Sequence, residues 1–172
     1  ESKPRLSSPT NYRFMKIDDD WNSSLVAKAA VKEPAYLHSF GLSKNYIILA
    51  EFPLVVQPLA LLFQLKPFIE NYKWKPKRGT RWFIFDRRTG ELVKQAKSEA
   101  FFAFHHVNAF ERGDELIVDM VTYPDNQIIN SFYLKAITDE SATLPGGQLK
   151  RFTLNLKKEN AVAEYRELIG AT

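Results

Sequence analysis

The stretch Phe101–Asp119 reads FFAFHHVNAFERGDELIVD, and its pattern decides the class of fold. Two runs rich in aromatic and β-branched residues, Phe101–Phe110 and Leu116–Tyr123, flank the polar patch Glu111-Arg112-Gly113-Asp114-Glu115. Such side chains pack well on a pleated surface, and glycine adopts the positive φ that a tight connection needs. The stretch therefore predicts a β-hairpin. Inside its first run stand His105 and His106 in otherwise apolar company. Neighbouring side chains on a strand point to opposite faces, so at most one of these imidazoles faces any given site. A histidine in an apolar strand is most often a hydrogen-bonded structural residue; metal ligation and acid–base work are its other common roles.

The same rhythm extends outward from the hairpin. On the N-terminal side, Tyr12–Ile17 alternates, Asp18-Asp19-Asp20-Trp21-Asn22 interrupts, and Leu25–Val31 resumes as an apolar run. The three aspartates lack the spacing and the distal glutamate of a calcium loop, so they predict a turn between strands. Glu1–Asn11 is polar, with two prolines and three serines, and reads as a connector. Pro34–Gly41 carries His38 and leads through the turn Ser43-Lys44-Asn45 into a strand at Tyr46–Phe52. Arg81–Asp86 is a further strand, turned by Asp86–Glu91 into Leu92–Ala96. Beyond the hairpin, Gln127–Leu134 predicts a strand, Asp139–Gly147 a loop and Leu149–Leu156 another strand. Ala161–Ile169 stays open between helix, which its composition favours, and strand. Arg112-Gly113-Asp114 is hairpin-turn chemistry, not an adhesion tripeptide. Short strands at regular spacing with turn residues between them imply an all-β sandwich, barrel or propeller.

Composition narrows the classes of function. A chain of 172 residues is ordinarily one domain with a real core, and 45% hydrophobic with 13% aromatic residues argues for a globular chain. With no cysteine, disulfides and thiolate metal sites are excluded, which fits an intracellular compartment. No charged-then-apolar signal stretch opens the chain, and its start at Glu1 leaves room for an excised segment. A net charge of +4 names no partner. Pro53–Ile69 (PLVVQPLALLFQLKPFI) is the most apolar stretch, yet polar and proline interruptions keep it from the ~20 apolar residues of a membrane span. Its plain reading is a buried helix or loop. Tyr72–Trp82 (YKWKPKRGTRW) interleaves five cations with aromatics. A solvated loop is the commonest origin of such a run, followed by a membrane rim and then a single-stranded nucleic-acid groove.

Two stretches carry a family resemblance. PAYLHSFGLSKNYIILAEFPL (Pro34–Leu54) and FFAFHHVNAFE followed by ELIVD resemble two iron-binding segments of the carotenoid cleavage oxygenases. That family includes apocarotenoid oxygenases and retinal-pigment-epithelium-type isomerohydrolases. The matching pattern is an H-x-F strand, a short polar turn and a Y-hydrophobic strand, then FHHVNAFE beginning its histidines sixty-seven residues after His38. The resemblance runs from about Tyr12 onward and implies a partial β-propeller, the middle blades of a seven-bladed one. It implies one non-haem iron(II) held by four histidines, with His38 and His105 as the second and third ligands and His106 turned away. The other two ligands have no counterpart, since the chain holds three histidines, and no position matches the carboxylates that in the family orient three of the four imidazoles. Phe104, Tyr36 and Phe40 would line the substrate tunnel, although strict alternation turns Phe104 away from His105. Leu54, Leu59, Leu61, Leu62, Phe63 and Phe68 match a membrane-docking segment.

The expected partners are a carotenoid or apocarotenoid with dioxygen, a peripheral membrane surface, and either the rest of the propeller or a second copy to cover open edges. No nucleic acid is expected, and the expected location is cytoplasmic, peripheral on a membrane. A stilbene substrate or isomerohydrolase chemistry stays open within the family. The alternative from another class is an all-β module that holds a lipid in its apolar segment, with structural histidines and no catalysis.

Overall fold

The computed structural model describes residues 10–58, 61, 66–159 and 161–169. A hairpin of β1 (Thr10–Ile17) and β2 (Ser23–Val31) comes first. It precedes a sheet in which β3 (Gly41–Leu42), β4 (Tyr46–Glu51), β7 (Thr80–Asp86) and β8 (Leu92–Ser98) are antiparallel neighbours in that order. Between β4 and β7, the two-residue strands β5 (Leu54–Val55) and β6 (Lys73–Trp74) pair with each other. A second sheet runs β9 (Phe102–Arg112), β10 (Glu115–Tyr123), β11 (Gln148–Asn155) and β13 (Glu164–Ile169), again antiparallel. The short β12 (Ala161–Val162) crosses back to lie parallel to β8, tying the outer edges of the two sheets together.

Side-chain alternation explains why the first sheet is buried on both faces. Ile48 and Ala50 of β4, Trp82 and Ile84 of β7 and Ala96 of β8 point into a core shared with the second sheet. There they meet Phe102, Leu116, Val118, Met120, Phe152 and Leu154. The intervening Ile47, Leu49, Phe83 and Phe85 point the other way, onto Phe14, Ala27 and Ala29 of the β1–β2 hairpin. A strand buried on both faces reads as a continuous apolar run, which is why YIILAEF and TRWFIF lack polar alternation. Each large side chain so enclosed contributes roughly 1.5–3 kcal/mol. Trp82 is fully buried, and its indole N–H donates to Ser98 Oγ at 3.0 Å.

The central hairpin forms as expected. Arg112 pairs with Glu115, leaving Gly113-Asp114 as the connection, and Gly113 has φ +59°. Several expectations change. Gln127–Leu134 is not a strand: Asn126–Phe132 is a 3-10 segment, followed by helix α1 (Leu134–Ile137). Both edges of β10 are already taken by β9 and β11, so the chain leaving β10 has no adjacent edge to join. The Asp125 carboxylate also starts the coil by accepting the Gln127 N–H at 2.8 Å. The tail resolves to strand, because β8 and β11 present free edges that β12 and β13 fill. The H-x-F segment around His38 is irregular, held to Leu54–Val56 by one bridge at Ala35 and bonds from Tyr36 N–H and Val56 N–H. The expected connector overlaps β1 at Thr10 and Asn11; residues 1–9 lie outside the described residues.

Candidate metal centre

His38 lies just before β3, and His105 lies on β9; these are the first strands of the two sheets, and they face each other. The two imidazoles, far apart in sequence, stand with ring centres 4.9 Å apart and planes at 83°. With metal–nitrogen distances of about 2.1 Å, two imidazoles bound side by side to one ion have ring centres roughly 4–5 Å apart. That spacing is the one two imidazoles sharing a transition metal such as iron would have, and it is also that of an ordinary edge-to-face ring pair. Both rings are exposed in this chain. Among the described residues no group of three or more histidine, cysteine, aspartate or glutamate side chains gathers at one point.

His106 takes the opposite direction, as alternation requires. Its Nδ1 lies 2.9 Å from Ser39 Oγ, and its backbone N–H donates to that same oxygen at 3.0 Å. Burial, helped by His105, lowers its pKa from 6.5 to about 4, so the ring is neutral at physiological pH. Its Nε2 is enclosed without a hydrogen-bond partner among the described residues. Gly41 leaves room for this ring, since a Cβ there would meet His106 Cδ2 at 3.1 Å.

Phe104 departs from strict alternation. The register of β9 against β10 steps from Asn108↔Asp119 to His106↔Met120 and then to Ala103↔Thr122. Phe104 and His105 thus share the single opposing residue Val121, and such a bulge re-aims side chains. The Phe104 ring sits 5.7 Å from His38 and 6.4 Å from His105. From there rings continue outward: Phe102 at 4.8 Å from Phe104, Tyr36 at 6.0 Å from Phe102, Tyr72 at 5.8 Å from Tyr36, and Phe68 at 5.3 Å from Tyr72. Phe132 from the 3-10 segment adds a further wall, 5.5 Å from Phe104. Tyr36 and Phe104 therefore stand on one aromatic path that ends at the histidine pair. Phe40 leaves that path, packing edge-on against Phe14 at 5.2 Å on the β1–β2 side. Phe102, Tyr72 and Phe132 escape sequence reasoning, because rings distant in the chain meet only after folding. Ser39 had one signal: it follows His38 as His106 follows His105.

The apolar segment divides. Leu54 is 2% exposed in the core, so it cannot touch a membrane; β5 packs it inward against the first sheet. Leu61 is half-buried and Phe68 is 60% exposed. Leu59, Leu62 and Phe63 lie outside the described residues. The cations of Tyr72–Trp82 are largely committed inside the protein. Lys75 and Arg78 pair with Glu33 at 2.6 and 3.5 Å, and Arg78 and Arg81 converge on Glu51, which is fully buried. Tyr12 OH donates to Glu51 at 2.9 Å and accepts the Ala35 N–H at 2.6 Å. Burial, then the Glu51 charge, raises the Tyr12 pKa well above its usual value, keeping that donor protonated.

A five-stranded sheet, antiparallel but for the short β12, and a four-stranded antiparallel sheet pack face to face with their first strands opposed, as in a partial β-propeller. The chain matches the family model for retinal pigment epithelial membrane protein over residues 2–170, and it belongs to that family, the carotenoid cleavage oxygenases. It is 37% identical over 132 residues to the carotenoid isomerooxygenase of Drosophila melanogaster, covering 72% of this chain and 21% of that protein. It is 33% identical over 114 residues to the mitochondrial carotenoid-cleaving dioxygenase of Macaca fascicularis, covering 64% of this chain and 20% of that one. Among solved structures, a cobalt-substituted Synechocystis ACO superposes with a TM-score of 0.68 at 24% identity, over 95% of this chain and 33% of that one. The lignostilbene dioxygenase of Pseudomonas brassicacearum gives 0.65 at 18% identity, over 91% and 32%. The chain thus spans about a fifth of the length of the curated relatives and a third of the solved ones.

Proposed function

We propose that this chain is the central part of a non-haem iron(II)-dependent dioxygenase that cleaves a double bond of a carotenoid or apocarotenoid to carbonyl products. The observation that carries the reading is the perpendicular His38–His105 pair at the end of an unbroken line of aromatic rings. His38 and His105 would supply two of the ligands, and the remaining ligands would come from the rest of the protein. An iron(II) ion held there supplies the oxygen chemistry that turns one double bond into two carbonyl ends. The residues of this chain do the rest. Phe104 and Tyr36, both half-buried, would offer a long polyene an apolar wall backed by the fully buried Phe102, and burying it there gains about 25 cal/mol per Å². The same wall excludes water, and its direction sets which bond of a rigid substrate stops beside the histidines. Phe40 borders a depression on the other side of His38.

The exposed Phe68 at the outer end of the same path supports, as part of this proposal, a cytoplasmic protein that sits peripherally on a membrane. A hydrophobic substrate could enter there from a bilayer without crossing water. In the full-length protein, His38→Ala and His105→Ala are each expected to abolish iron binding and product formation from an apocarotenoid. Iron analysis and product chromatography check this. Full iron content and turnover in both variants would return both imidazoles to a structural role and favour a module that only binds hydrophobes.

A further inference from the structure

We infer that Ser39 and His106 form a clamp that positions the His38 and His105 imidazoles, so that both are positioning residues of the centre proposed above, on which this inference rests. The clamp lies one residue beyond the pair on each side: Ser39 meets His106 across the same sequence separation by which His38 meets His105. Fixing one pair therefore fixes the other.

The need for such a device follows from the backbone. His38 belongs to neither sheet, and β3 beyond it is two residues long. Upstream, the last backbone tie is Tyr36 N–H to the Leu54 carbonyl, at 2.8 Å. Among the described residues, the hydrogen bonds that hold residues 37–40 are those of Ser39. On the opposite side, the register of β9 against β10 shifts on both sides of His106, at Val107 and at Phe104–His105, so the ladder is irregular there. Both imidazoles thus sit on stretches that their own secondary structure does not fix. The Ser39 hydroxyl accepts the His106 N–H and shares a second bond with the ring of the same residue, which sets backbone and side chain together. A hydroxyl donates or accepts as required, so it complements either neutral tautomer of the ring. Gly41 lets the ring stack close against β3, with Ile48 and Ala109 around the same point. Metal sites demand ligand placement within about 0.5 Å, and orienting partners of ligands are typically worth 10–100-fold in affinity.

The test uses the full-length protein loaded with Co(II), which reports ligand geometry through its visible absorption. Ser39→Ala is expected to weaken Co(II) and Fe(II) binding by about tenfold or more and to shift the cobalt bands, whereas Ser39→Thr retains both. His106→Asn, whose amide can still meet the Ser39 hydroxyl, should stay near wild type, and His106→Leu should follow Ser39→Ala. Should Ser39→Ala prove unfolded by circular dichroism, the two variants at position 106 decide on the same readouts: unequal affinities support the clamp and equal ones overturn it. Wild-type affinity and spectrum in Ser39→Ala, with metal lost from His38→Ala, would refute the clamp and leave the metal centre standing. Metal retained in His38→Ala as well would refute the centre itself.

Discussion

Glu111 illustrates how one side chain can bind the two sheets. From β9 it reaches the turn before β4, accepting from Ser43 Oγ, from the Asn45 N–H at 2.9 Å and from the Asn45 amide. Burial pushes its pKa up, but those donors outweigh burial and the net shift is downward from 4.5. A carboxylate whose folded pKa is lowered contributes its full stability above its unfolded value. That contribution is lost as pH falls through the lowered folded value. Glu111→Gln should therefore cost about 1 kcal/mol at neutral pH. The gap between the two proteins should close progressively below pH 4.5. Urea unfolding at a series of pH values measures it, and a gap that stays constant down to pH 3 would contradict the assignment.

At the scale of elements, the Tyr12–Glu51–Arg78–Arg81 network joins β1, β4, β7 and the turn at Pro76–Arg78 to the segment that leads to His38. Removing one partner of a buried ion pair typically costs about 3–5 kcal/mol, because the remaining charges are stranded. Glu51→Gln should fall near the lower bound, as Arg81 is partly exposed and Arg78 keeps Glu33. Tyr12→Phe should cost about 1–2 kcal/mol through its two hydrogen bonds. The double variant should cost less than the sum, since the two share one bond; strict additivity in thermal unfolding would show that they act independently. The segment between β4 and β6 separates into two behaviours. Leu54→Ala should lower stability by about 2–5 kcal/mol, as for any buried leucine. Phe68→Ser should leave stability nearly unchanged and weaken partitioning onto liposomes. Equal liposome binding by wild type and Phe68→Ser would return that ring to the protein surface.

For the whole molecule, the described chain leaves apolar surface at its margins. Met15, Ile17 and Leu25 of the first hairpin are exposed, as are Phe132, Leu134 and Ile137 beyond β10. Contiguous apolar margins on a chain spanning a third of its solved relatives are surfaces on which further blades, or a second copy, would pack. The isolated 172-residue chain is expected to self-associate in sedimentation experiments. It is also expected to bind iron weakly and without discrimination, because two imidazoles leave the other positions to water. Stoichiometric tight iron together with turnover of an apocarotenoid by this chain alone would mean that the centre is complete within it.

The sequence by itself determined most of the strands and the hairpins closed by short turns. Strand composition and turn residues act over a few residues, so the hairpin around Gly113, the strand at Tyr46–Phe52 and the turn from Arg81–Asp86 into Leu92–Ala96 were legible, whereas the pairing of β4 with β7 was not. It also determined that His105 and His106 part, and FHHVNAFE together with PAYLHSF pointed to the family. Gln127–Leu134 was misread because strand propensity needs an open edge, and whether β10 has one is a property of the sheet. The tail became strand for the converse reason. Tertiary structure alone decided that Phe104 leans toward His38, because a bulge is set by the register between two strands and not by either one. It decided that Leu54 is core while Phe68 is exposed, and that Lys75, Arg78 and Arg81 serve Glu33 and Glu51. Charge and hydrophobicity are written in the chain, but their partners are fixed by distance, and distance exists only once the two sheets have packed.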